Sequence, residues 1–260
     1  MIHLKSPAVQ LQWATPFQSV LRIMSELVRL SKRLAELVPC SRREAEIYIE
    51  GGWVSVDGQT VEEPHFKVST QTIDLHPNAG LKPLEPVTLL LHLPPDKQPD
   101  TDLLAMMTPE TLLVNAYANI RFLKGHFARQ TLTAPLQNNA SGLVVFSQDW
   151  RVLRKLTEDA HKNEQEYIVE VSGTLTAEQL ATLNQVITIN GRSLPSAKVS
   201  WQNETRLRVA LKNPQPDQIA RLCNSVGLTI LSIKRIRIGG VSMAKLPAGQ
   251  WRYVLPNEKF

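Results

Sequence analysis

Between Arg29 and Val61 the residues of a helix, a capped second helix and a tight hairpin follow one another without interruption, which leaves little choice of local fold. Ser41 and Glu44 stand at capping-box spacing, where a hydroxyl and a carboxylate each accept from a backbone N–H left unpaired at a helix start. Ala45, Ile47, Tyr48 and Ile49 give this helix apolar surface, and Gly51-Gly52 supplies its stop. Trp53–Val56 then faces Gln59–Val61 across Asp57-Gly58, a strong signal for a two-residue hairpin. Arg42 and Arg43 fall in the first turn, although free amides and the macrodipole there favour anions. Together with Lys32 and Arg33 they suit a phosphate ligand; a solvated charged face is the other reading.

The order of these features narrows the choice. Arg29-Leu30-Ser31-Lys32-Arg33-Leu34-Ala35-Glu36-Leu37, Cys40-Ser41-Arg42-Arg43-Glu44-Ala45-Glu46 and Val54-Ser55-Val56-Asp57-Gly58 closely resemble the RNA-binding domain named after ribosomal protein S-four. The resemblance implies a basic face for structured RNA, with Arg29, Lys32, Arg33, Ser41, Arg42 and Arg43 as candidate RNA-binding residues.

The chain has 260 residues, enough for one large domain or two smaller ones. Its net charge of +5 is compatible with a polyanionic partner, and local clustering is what gives that weak signal direction. Cys40 and Cys223 are far apart, with no Cys-x-x-Cys or Cys/His ligand spacing, so neither a disulfide framework nor a metal site is expected. No apolar run approaches the roughly 18 residues that span a bilayer, and no secretory signal is evident. A cytoplasmic protein, monomeric and without membrane association, is the expectation.

Pro7 and Pro16 interrupt residues 1–23, read as a disordered leader, and Met24 is a possible start of translation. Residues 24–75 form the S-four-type domain, and 76–86, with Pro77, Asn78, Gly80, Pro83 and Pro86, read as a linker. Residues 87–256 form a second domain. Strands are expected at Val87–Leu93, Gly142–Ser147, Glu166–Val171 and Trp201–Leu211, and around Ile236 and Ile238. Helices are expected at Trp150–Ala160, Ala177–Gln185 and Gln218–Val226. The fold class is α+β: a small helix-helix-hairpin domain, then a mixed, mainly antiparallel sheet domain.

In that order the segments resemble the RNA pseudouridine synthases of the RsuA/RluF type. The similarity is carried by Ala140-Ser141-Gly142-Leu143-Val144-Val145-Phe146, Glu164-Gln165-Glu166-Tyr167-Ile168-Val169-Glu170-Val171, Gln218-Ile219 with Arg221-Leu222-Cys223, Lys234-Arg235-Ile236-Arg237-Ile238, and Leu246-Pro247-Ala248-Gly249-Gln250-Trp251-Arg252. The resemblance implies cofactor-free isomerisation of uridine to pseudouridine in ribosomal RNA, on a base flipped from its stack.

The family places its catalytic Asp four residues before the Ser-Gly pair, where this chain has Gln137. Its preceding Arg is replaced by Pro135, and Asn139 offers a second amide. An amide is neither a useful nucleophile nor a general base near neutral pH. The Arg that pairs with that Asp is replaced by Ala220. Losing one member of a buried ion pair costs about 3–5 kcal/mol, whereas losing both can be nearly neutral, so the two replacements belong together. Asp149, Glu158 and Asp159 are the alternative carboxylates considered.

Gln137, Asn139, Tyr167 and Arg221 are the pocket candidates. Tyr167 matches the aromatic that packs on the flipped base, or is a half-buried strand residue. Arg221 lines the pocket or caps neighbouring carbonyls. Arg235 and Arg237 bind phosphate from one strand face, or protect an edge strand. The expected function is RNA binding, to structured RNA and in particular ribosomal RNA, with impaired or absent catalysis. An active synthase using another residue and a protein-interaction scaffold are the alternatives.

Overall fold

The computed structural model describes residues 27–97, 102–113, 120–186, 188–189, 192–193 and 196–260. The 1–23 leader and Met24 lie outside them. The chain divides into two compact units between Leu84 and Glu85, inside the stretch read as a linker.

The first unit contains β1 (Val28–Arg29), α1 (Leu30–Leu37), α2 (Arg42–Glu50), β2 (Val54–Val56), β3 (Gln59–Thr60), β4 (Lys67–Val68) and β5 (Ile73–Leu75). The capping box starts α2: Glu44 N donates to Ser41 Oγ at 3.2 Å and Ser41 N to Glu44 Oε2 at 2.7 Å. Asp57 and Gly58 have φ of 49° and 79°, the positive values that a type I′ turn between β2 and β3 requires. Leu30 and Leu34, then Ala45 and Ile49, each four apart, put one face of each helix into a core with Val54, Val56 and Val68. A fully buried side chain of the Leu or Ile type contributes about 1.5–3 kcal/mol, so this short set is enough to fix the helix pair.

The second unit is built on β6 (Thr88–Leu93), β7 (Thr131–Thr133), β8 (Ala140–Ser147), α3 (Trp150–Thr157), β9 (Glu164–Ser172), α4 (Ala177–Leu183), β10 (Thr188–Ile189), β11 (Arg192–Ser193), β12 (Ala197–Trp201), β13 (Arg206–Lys212), α5 (Gln218–Ser225), β14 (Thr229–Ile238), β15 (Val241–Ser242) and β16 (Trp251–Tyr253). Its main sheet runs β12-β13-β9-β14-β8-β6-β16, with β15 on β14 and β7 on β8. Among the described pairings β8–β14 is parallel and the rest are antiparallel. The fold is therefore α+β, as expected. Every residue of β6 and β8 is buried, which is why both read as continuous apolar runs rather than alternating ones. Ile219, Leu222 and Cys223 pack α5 against the core that contains Tyr167, Val169 and Ile233.

Three expectations need correction. Trp201–Leu211 is not one strand. Gln202-Asn203-Glu204-Thr205 is turn chemistry, and Asn203 Oδ1 accepts from Thr205 N at 3.0 Å, so the chain folds back with Trp201 opposite Leu207. The Trp150 helix stops at Thr157, and Ala160–Lys162 forms a separate 3-10 turn held by Asn163 Nδ2 donating to Lys155 O at 2.6 Å. The second unit continues past residue 256: Glu258 accepts from Arg252 at 2.6 and 2.7 Å, Gly240 N donates to Lys259 O, and Phe260 is buried. No helix of the described residues is long and apolar enough to cross a membrane.

Candidate functional site

Three neighbouring strands bring Gly142, Arg235 and Tyr167 into one row: Gly142 of β8 lies opposite Arg235 of β14, which lies opposite Tyr167 of β9. Gly142 has φ of 98°, and a Cβ there would stand 2.2 Å from Arg235 O, so glycine is what lets the strands approach. The Arg235 side chain is fully buried. Its Nε donates to Leu143 O at 2.8 Å, and its Nη1 to Pro135 O at 3.3 Å and Gln165 Oε1 at 3.0 Å. Tyr167 Oη donates to the same Gln165 oxygen at 2.7 Å. One guanidinium thus links the tyrosine strand to the loop that carries Gln137.

That loop turns tightly into β8. Ala140 N donates to Gln137 O at 3.0 Å, and Asn139 takes φ of 56°. Gln137 is 5% exposed, and neither its Oε1 nor Arg235 Nη2 has a hydrogen-bond partner in the protein. Buried polar atoms without a protein partner are uncommon, and these two lie at or beside the turn into β8. Burial pushes the Tyr167 phenol up, against the pull of the Arg235 charge, and pushes the Arg235 guanidinium down, against the influence of Tyr167. Arginine remains protonated even so. Among the described residues its hydrogen-bond acceptors are carbonyl and amide oxygens, with no carboxylate.

Tyr167 and Arg235 are therefore joined through Gln165, and Arg235 reaches the Gln137 loop at Pro135, whereas the other pocket candidates are less buried. Asn139 and Arg221 are exposed, and Ala220 is half-buried on α5. The loop is nevertheless tied to that helix: Asn138 Nδ2 donates to Asp217 Oδ1 at 2.9 Å, just before α5 begins. The alternative carboxylates are engaged on the surface of the α3 region. Asp149 accepts from Arg151 N, Glu158 pairs with Arg154 at 3.3 Å, and Asp159 pairs with Lys162 at 2.7 Å.

Arg235 and Arg237 do not share a face. A β-bulge between them sends Arg235 toward Gln165 and Tyr167 but Arg237 toward Glu166 and Glu164, the opposite side of β9. Buried and hydrogen-bonded, Arg235 is not a surface phosphate ligand in this structure. Arg237 is paired at 2.7 Å with both glutamates, and Arg208 also donates to Glu166. The hydrogen bond from Arg237 holds the Glu164 carboxyl below its usual range. Gln165, Asn138 and Asp217 were missed; period-two spacing from Tyr167 was the available signal for Gln165.

In the first unit Arg29, Lys32 and Arg42 are exposed and make no ion pair among the described residues. Arg33 pairs with Glu36 at 3.2 Å and Arg43 with Glu46 at 3.6 Å, surface contacts that are easily exchanged. The Ser41 hydroxyl is occupied in the cap, and the hydrogen bond from the Ser41 backbone N–H, with a smaller contribution from its side chain, lowers the Glu44 carboxyl.

Residues 28–73 match the S4 domain model. The dual-specificity RNA pseudouridine synthase RluF of Escherichia coli (strain K12) is 27% identical over 242 residues, covering 89% of this chain and 77% of that protein. Over most of its length the chain is similar to RluF-type RNA pseudouridine synthases. Ribosomal large subunit pseudouridine synthase B of Vibrio cholerae is 27% identical over 236 residues, with coverage of 88% and 71%. An uncharacterized RNA pseudouridine synthase of Aquifex aeolicus (strain VF5) is 24% identical, with coverage of 89% and 94%. A crystal structure of pseudouridylate synthase shares the fold, with a TM-score of 0.54, 18% identity, and coverage of 87% of this chain and 96% of that one. This chain thus carries Gln137 and Ala220 on a scaffold similar to that of proteins named for pseudouridine formation.

Proposed function

We propose that the protein binds structured ribosomal RNA through its S4 domain and sheet domain, and that the pseudouridine-forming step has been lost at Gln137. The observation that carries the reading is the buried Gln137 amide, in a loop held by Arg235 whose hydrogen-bond partners include no carboxylate. An amide side chain cannot attack ribose or take its proton at neutral pH. Ala220, on the helix tied to the same loop by Asn138 and Asp217, fits the loss of the opposite charge. The names of the homologues point to RNA, and the exposed Arg29, Lys32 and Arg42 supply cations for phosphates. On this reading 24–75 is the RNA-anchoring domain, 76–86 the connection and 87 onward the site domain of a cytoplasmic, cofactor-free, monomeric protein.

Crosslinking in cells followed by sequencing of the bound RNA, with pseudouridine mapping in a deletion strain, tests both halves. Recovery of a defined ribosomal RNA segment with an unchanged pseudouridine map is expected; loss of one pseudouridine on deletion would contradict the silent site. A second reading is an active synthase in which Asp217 supplies the carboxylate, favoured by its hydrogen bond to the neighbour of Gln137. Asp217→Asn would then abolish the deletion-sensitive modification. If no RNA is recovered, the scaffold reading replaces both.

A further inference from the structure

Helix α3 starts where β8 ends, at the opposite end of that strand from the Gln137 loop. Its first residue, Trp150, is 63% exposed, an unusual place for an indole in a chain that buries Trp251 completely. The Arg151 guanidinium carbon lies 5.6 Å from the Trp150 ring centroid. Arg154 and Lys155 follow on the same side of the helix, while Leu156 and Val152 turn the other side into the core. Lys162 of the 3-10 turn joins them, and these residues with Asp159 line an open depression of about 440 Å³, a size that admits a small ligand.

The charges favour one kind of occupant. Arg151, Arg154, Lys155 and Lys162 face Glu158 and Asp159, an excess of cations. The Arg154–Glu158 and Lys162–Asp159 pairs are solvent-facing, so they yield readily to phosphate. An apolar protein surface would strand these cations away from water. An aromatic face flanked by arginine and lysine is instead the arrangement that takes stacked bases and their backbone.

We propose that this surface binds single-stranded RNA, one base stacking on Trp150 while the adjoining phosphates pair with Arg151, Arg154, Lys155 and Lys162. The inference rests on the RNA-binding reading above and adds a second contact, remote from the buried Gln137 cluster.

Fluorescence anisotropy of the full-length protein with short oligouridine, a blunt structured ribosomal RNA hairpin, and the same hairpin carrying a single-stranded flank tests it. Trp150→Ala should weaken oligouridine and flanked-hairpin binding about tenfold while leaving the blunt hairpin unchanged; Trp150→Phe, which keeps a stacking face, should restore most of the loss. Lys155→Glu with Lys162→Glu should lower affinity for the flank and flatten its salt dependence. Because Trp150 is exposed, the melting temperature serves as the check that the variants fold. Unchanged oligouridine affinity in Trp150→Ala, with hairpin binding intact, would overturn this surface alone. No RNA binding by the unaltered protein would overturn both readings. A change in sedimentation mass without a change in RNA affinity would assign the patch to protein association and overturn it too.

Discussion

At position 137 the difference between an amide and a carboxylate decides the chemistry, and the surroundings decide what restoring a carboxylate would do. Gln137→Asp puts an ionisable group where the present side chain is 5% exposed, so desolvation should raise its pKa. A carboxyl whose folded pKa exceeds its unfolded value, about 3.9, costs nothing below that value and progressively more as pH rises through the folded pKa. The variant should therefore match the parent below about pH 4 and lose about 2 kcal/mol at neutral pH by urea denaturation. It should remain inactive. Adding Ala220→Arg should recover much of that loss, because an opposite charge offsets the buried one; of the two variants, the double one is where turnover is expected. Equal stability of the single variant and parent at pH 7 would show that Arg235, with its unused Nη2, already serves as the partner.

Among the elements, the β8–β14–β9 row is the most constrained by sequence. Gly142→Ala should destabilise the second unit by about 3 kcal/mol or more, since the added methyl meets the Arg235 backbone and φ of 98° disfavours any L side chain; a shift of the denaturation midpoint measures this. On the other side of β9, Glu164 has a lowered carboxyl pKa because Arg237 hydrogen-bonds to its charged form. Its contribution is present above the ordinary carboxylate pKa and lost as pH falls through the lowered one. Glu164→Gln should cost less than about 1 kcal/mol at pH 7, the scale of a partly exposed pair, and nothing in strong acid. The elements themselves were largely legible: the capping box, the Asp57-Gly58 turn and the apolar runs of β6 and β8 announce themselves through local chemistry. What the sequence concealed was the bulge that separates Arg235 from Arg237, because alternation predicts a shared face and only the register with β9 reveals otherwise. The polar turn inside Trp201–Leu211 was masked because Trp201 falls on the same alternation as Leu207, Val209 and Leu211, although Gln202-Asn203-Glu204-Thr205 carries turn chemistry.

For the whole molecule, two units have separate cores, and on the proposed reading they divide the work of anchoring and presenting RNA. The resemblance singled out Gln137, Tyr167 and Ala220, but Gln165, Asn138 and Asp217 depend on contacts 70 or more residues apart, or on a shared acceptor, that no local pattern encodes. Reversing Arg42 and Arg43 to Glu should weaken structured-RNA binding and flatten its dependence on salt, each lost phosphate contact removing about 0.7–0.9 from the logarithmic slope. An unchanged slope would move the anchoring surface away from α2. The central claim is that RNA is held while the uridine is left unconverted. Its most direct measurement is pseudouridine content in uridine-labelled ribosomal RNA incubated with enough purified protein to bind all of it, followed by nucleoside analysis. Saturated binding with no pseudouridine above the protein-free control is the expected result; pseudouridine accumulating with turnover would contradict the silent site and assign the chemistry to a carboxylate elsewhere in the chain.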